Sequence, residues 1–199
     1  MANSDRPSGL SPVGYLSGAK YTGGGRVYCI PSTDGNAFAI GDPVTHAGGA
    51  DTAGVPTVTL ATAGTGNTVL GAIVMGGGQL SYGSAAMTAD TPIVIPATKT
   101  RAYYVLVADD PNLIFEIQEV SGGTAFAATE VGLNANLVSG TNNGYVSGWE
   151  VNNSGEAVTA TLQLKLLGLA QRTDNAFGEH AKWLVKINTH FYAPNGVGL

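Results

Sequence analysis

An all-β, mainly antiparallel fold is what this 199-residue sequence predicts, and three observations predict it. Short apolar segments rich in Val, Ile, Thr and Tyr recur along the chain, several with the inward and outward alternation that a strand imposes. Gly, Pro, Asn and Asp bound each segment, and the 29 glycines give backbone that accepts the positive φ of tight turns. No heptad or solenoid period is found. The economical architecture is a β-barrel or jelly-roll-like sandwich with an extended N-terminal arm and long Gly-rich loops.

Residues 1–24 come first, with Pro7, Pro12 and five glycines set among isolated Leu10, Val13, Tyr15 and Leu16. Proline fixes φ and biases its predecessor to extended backbone, so this stretch reads as an extended arm ahead of a single β-rich domain over 25–199. Strands are expected at 26–30, 37–40, 43–46, 57–61, 68–75, 92–95, 102–108, 113–120, 145–151, 158–169 and 182–192. Within them Phe115 and Ile117 should face inward, with Glu116 and Gln118 toward water. Leu162, Leu164 and Leu166 form another inward set. In the last strand Trp183, Val185, Ile187 and Phe191 share one face, and Lys186, Asn188 and His190 the other. Only 124–136 reads as a short helical turn. The Gly-rich stretches 47–54, 63–66, 76–84 and 139–144 are loops, and 76–100 reads as a long excursion from the sheet.

Composition narrows the function. A 44% hydrophobic chain of this length can bury a core, while charged residues make up only 12%, well below the roughly quarter to third expected of a solvated surface. A neutral, small-residue surface suits contact with other proteins. Nine scattered Lys and Arg against fourteen Asp and Glu argue against a nucleic-acid partner, which needs clustered cations to displace counterions. The longest apolar run, 102–108, is far too short to span a membrane as a helix, and no signal-peptide pattern opens the chain, so synthesis in a reducing cytoplasm is expected. Cys29, within an apolar run, reads as a small buried hydrophobe.

No residue pattern carries catalysis. His46, His180 and His190 are too dispersed for a local metal motif, and no Gly-x-Ser-x-Gly elbow or phosphate loop occurs. Asp109 and Asp110 precede Pro111, which cannot continue a ladder, so the pair reads as a turn between strands 102–108 and 113–120. No enzyme activity, metal or cofactor is expected. Phe177, in the polar loop 172–179, either tucks onto its own barrel or fills a pocket in a neighbour.

Several strings resemble one protein family. GLAQRTDNAFGEHAKWLVKINTHF at 168–191, RPSGLSPVGYLSG at 6–18, IGDPV at 40–44, YVLVADDP at 104–111 and VGLNAN at 131–136 look like head decoration, or cement, proteins of tailed bacteriophages. The resemblance implies a non-enzymatic virion protein on the outer surface of the head. Its partners would be the major capsid protein and further copies of itself, as a homodimer or homotrimer, with no nucleic acid and no membrane. The expected interface residues are Leu10, Val13, Tyr15, Leu16 and Phe177. Two rivals come from other classes. A carbohydrate- or receptor-binding β module of a tail fibre or adhesin would show Tyr145 and Trp149 in an exposed groove. A cell-wall hydrolase would show two carboxylates about 5 to 10 Å apart in one cleft.

Overall fold

Period-two patterning becomes hydrogen-bonded strand over twelve segments in the computed structural model, which describes residues 3–76 and 94–193. The described residues contain no α-helix, and the predicted all-β class is what forms. In order the strands are β1 (Ser11–Tyr15), β2 (Arg26–Ile30), β3 (Pro43–Ala50), β4 (Pro56–Leu60), β5 (Gly71–Met75), β6 (Tyr103–Ala108), β7 (Leu113–Gln118), β8 (Asn134–Ala135), β9 (Leu137–Val138), β10 (Glu150–Val151), β11 (Leu164–Leu169) and β12 (Lys182–Ile187).

They build two sheets around two cores. A five-stranded sheet runs β1-β7-β12-β11-β8, every neighbouring pair antiparallel. Its buried face carries Phe115, Ile117, Leu164, Leu166, Trp183, Val185 and Ile187. Strands β2-β4-β3-β5-β6 close into a barrel, held by one parallel contact, Cys29 to Thr57, and otherwise antiparallel ladders. The barrel encloses Tyr28, Ile30, Val44, Val58, Leu70, Ile73, Val105 and Val107. Leu60 packs against both cores. A small β9-β10 ladder completes the fold.

Several expectations need correction. The arm over 1–24 is, for Ser11–Tyr15, an edge strand paired to β7, and Leu10 is fully buried. The isolated apolar residues have no strand period, yet β7 offers them a ladder. The helical turn expected over 124–136 shrinks to one 3-10 turn at Ala128–Glu130, followed by β8. Gln118 and His190, placed toward water by alternation, are buried at 0% and 3% exposure. β12 ends at Ile187, and Phe191 crosses to pack on the barrel core. Of the excursion 76–100, residues 77–93 lie outside the described residues, as do the first two residues of the strand expected at 92–95.

The alternation holds for the apolar positions of the other segments, but Gln163, outward by the same period, is fully buried and bonded to Gly64 N, Leu137 N and Thr62 O. Cys29 is buried, and Leu162 is 5% exposed beside fully buried Leu164 and Leu166. A single carboxylate pins the sheet core. Glu119 Oε2 accepts from Trp183 Nε1 at 2.9 Å, and its Oε1 accepts from Phe126 N at 2.8 Å and Asn153 Nδ2 at 3.2 Å.

Candidate functional site

The residues expected to dock all lie along or beside the N-terminal segment, so its seating decides what they can do. Asn3 reaches the 172–182 loop, donating through Nδ2 to Ala176 O and Glu179 O at 2.9 Å each and accepting from Ala176 N at 3.0 Å. Arg6 N donates to Gln118 Oε1 at 2.8 Å, and Lys182 Nζ donates to Arg6 O at 2.6 Å. Gly9 has φ 65° and crosses Gly41, φ 91°; a Cβ on either would collide with backbone of the other's segment. Leu10 N then donates to Gly41 O at 2.9 Å, and the side chain enters the sheet core. The segment is therefore laced to its own domain before β1 begins.

β1 sorts the expected interface residues into two groups. Leu10 is removed from the set by burial. Tyr15 is half-buried and packs on the core. Val13 and Leu16 stay out, at 42% and 48% exposed, each for a local reason: the β1-β7 register shifts between Pro12 and Gly14, and such a bulge leaves its extra residue, Val13, unpaired and re-aimed, while Leu16 sits past the end of β1 in the turn closed by Gly18 N on Tyr15 O at 2.9 Å. Phe177 is half exposed, with its ring 5.8 Å from that of Trp183. It leans on its own sheet while keeping one side free.

Behind the segment lies a polar cluster that sequence reading missed. Asp5, Glu150 and His180 each bring one ligand-type atom within 4.8 Å of the others. Gln118 Nε2 stands among them, donating to Asp5 Oδ1 at 2.8 Å and Glu150 Oε1 at 2.9 Å, with His180 Nδ1 at 3.4 Å. These are the residues that could hold a cation, but an amide already donates where it would sit. Burial raises the Glu150 carboxyl above its ordinary value, against the lowering effect of the Gln118 hydrogen bond. His180 adopts φ 60°, a left-handed conformation costly for a residue with a Cβ. No local motif signals this cluster, because its members come from the N-terminal segment, β7, β10 and the loop before β12.

Two cavities flank the segment. One of about 260 Å³ is lined by Asn3, Ser4, Arg6, Ser8, Glu116, Arg172, Asp174, Asn175, His180 and Lys182. The other, about 590 Å³, lies between residues 5–8 and the 141–148 loop. Glu150 lines neither, so the Asp5 and Glu150 carboxylates do not open together into one of these clefts. Tyr145 is 65% exposed, but Trp149 is 3% exposed and part of the sheet core. The aromatic pair that a glycan-binding groove would need is split by burial.

A second polar centre joins barrel and sheet. Asp110 caps the turn, accepting from Asn112 N at 2.7 Å, as the turn reading expects. Asp109 does more: it is buried, accepts from Tyr28 Oη at 2.6 Å and pairs with Arg26 Nε at 2.7 Å. Tyr28 Oη also meets Tyr192 Oη at 3.2 Å, which in turn meets His46 Nε2 at 3.2 Å. Tyr192 N donates to His190 Nδ1 at 3.0 Å. The chain of hydrogen bonds ties residues 189–192 onto the barrel beside β5, where Val69 and His190 form a bridge. Apart from His190 Nε2, which is buried with no hydrogen-bond partner among the described residues, its groups are directed at one another, which is the work of a brace.

Comparison with known proteins found no matching family, curated protein or solved structure.

Proposed function

We propose that this chain is a structural virion protein that binds the outer surface of a tailed-phage capsid and cements neighbouring capsid subunits. The observation that carries the reading is the apolar edge of the sheet: Val13 exposed on β1, and Leu16 exposed in the turn that follows it, in a protein poor in charge. A bulged edge strand and the turn after it, each with one exposed aliphatic side chain, offer contact area without the desolvation cost of charged groups. The strings that resemble decoration proteins add their weight, and 6–18 coincides with the segment that carries this edge.

The physics of such a role is linkage. A ligand that binds the expanded shell and not its dissociated subunits stabilises the shell by mass action, and many copies on symmetric positions multiply the effect. Self-association as a dimer or trimer would match the two-fold and three-fold positions of the lattice.

The test is sedimentation of purified chain with expanded heads built from the capsid protein of the same particle. Saturable co-sedimentation, lost in a Val13→Asp, Leu16→Asp double variant that keeps its melting temperature, is the expected result. A chain that stays in the supernatant with wild-type sequence would sink the reading.

A further inference from the structure

We propose that the 260 Å³ cavity between the N-terminal segment and the 172–182 loop binds a small sugar acid, a single pyranose bearing one carboxylate. The inference goes beyond capsid attachment and does not depend on it. Three of the chain's nine Lys and Arg, namely Arg6, Arg172 and Lys182, line this one cavity, in a protein whose net charge is −5. Against them stand Glu116 and Asp174, leaving one net positive charge.

How these charges are already committed decides the ligand. Arg172 is neutralised by two carboxylates and uses three of its five donors on them, its Nε and Nη2 on the two oxygens of Asp174 at 3.1 and 3.2 Å and its Nη1 on Glu116 Oε1 at 2.9 Å. The guanidinium of Arg6 has no partner among the described residues, and Lys182 Nζ uses one of its three donors, on Arg6 O. Arg6 and Lys182 therefore call for an anion. Glu116 and Asp174 keep lone pairs beyond those Arg172 takes, and these accept only from donors such as hydroxyls. A bare divalent or trivalent anion meets repulsion from the two carboxylates. A ligand with one carboxylate and several hydroxyls meets every group on its own terms.

Size and lining agree. The cavity lies just below the roughly 300 Å³ at which pockets for drug-sized ligands begin, which suits one monosaccharide ring, and no apolar side chain lines it. Lys182 is partly desolvated, which lowers its pKa from the ordinary lysine value, and a charge in that state gains more from an anionic partner than a fully hydrated one does.

The experiment titrates the full-length chain, at low salt and neutral pH, with D-glucuronate, D-glucose and inorganic phosphate, followed by calorimetry and amide chemical shifts. Saturable glucuronate binding at least about tenfold tighter than either other probe is expected, each tenfold being about 1.4 kcal/mol. The Arg6→Ala variant, exposed and without a side-chain partner among the described residues, should keep its melting temperature and weaken glucuronate by about tenfold or more; Lys182→Met should weaken it similarly, with some loss of melting temperature from the lost bond to Arg6 O. Equal binding of glucose, equal or tighter binding of phosphate, no saturable binding, or an Arg6→Ala variant that binds as wild type would each overturn the proposal. The isolated chain suffices, so a failure here is separate from a failure to attach to heads.

Discussion

Leu10 and Leu16 are six residues apart in one Pro- and Gly-rich stretch, yet the structure assigns them opposite roles, and their alanine variants should differ sharply. Leu10 is fully buried against the sheet core, while Leu16 is 48% exposed. Truncating a fully buried leucine costs about 2 to 5 kcal/mol, the lost transfer energy plus the residual cavity. A surface truncation stays within about 0.5 kcal/mol. For a chain of this size each kcal/mol moves the melting temperature by roughly 2 to 4 °C, so Leu10→Ala should melt about 4 to 20 °C lower and Leu16→Ala within about 2 °C of wild type. Urea denaturation followed by tryptophan fluorescence suits the measurement, since Trp183 and Trp149 both sit in the sheet core. An unchanged slope with a lower midpoint would assign the effect to stability rather than to the denatured state. Should Leu10→Ala unfold at the wild-type midpoint, the N-terminal segment is not part of the core, and its seating on Gly41, Gln118 and the 172–182 loop is misread.

Three further outcomes are expected. Burial pushes the His190 imidazole down to about 4, so the unfolded chain takes up the proton first, and stability should fall as pH drops from about 6.5 through 4, by about 3 kcal/mol in all. Burial raises the carboxyls of Asp42 and Glu119, which acts in the opposite sense as pH rises past their unfolded values. The comparison is therefore wild type minus His190→Asn across that window, and a difference independent of pH would refute the assignment. Trp183→Phe should cost more than its lost area, because Glu119 Oε2 loses its only donor among the described residues and a buried carboxylate oxygen left unpaired costs about 1 to 3 kcal/mol; a chemical melt showing less than about 0.5 kcal/mol would count against it. Gly9→Ala should destabilise by more than about 1 kcal/mol through its positive φ and the closeness of Gly41 O, and a neutral result in the same melt would show that the crossing of the two segments is loose.

What the sequence revealed follows the range of the forces involved. Strands β2, β4, β6, β7 and β12 begin or end within a residue or so of the expected bounds at most of their ends, because alternation and Pro or Asp punctuation are local. The burial of Cys29, Trp183 and Leu164 followed from the same patterning. β1 was hidden, since Pro12 and Gly14 break the period and only the ladder to β7 makes Ser11–Tyr15 a strand. β8 and β9 are two residues each, too short for any period. Gln118 obeys the alternation rule in β7 and still fails it, because the N-terminal segment covers the face that would be solvated. The polar cluster and the cation-lined cavity were invisible for the same reason. Asp5 and Gln118 are 113 positions apart, and only the return of the segment over β7 and the 172–182 loop brings them together.

Attachment to a capsid is tested most directly by a cryo-electron density map of the particle that carries this chain. The expected result is density for a closed barrel beside a five-stranded sheet on the outer surface of the head, with Val13 of β1 and Leu16 just after it turned toward the shell or a sister copy and the chain bridging at least two capsid subunits. Finding the chain on a tail fibre, or on the head with the β1 edge facing solvent and no bridge formed, would contradict it.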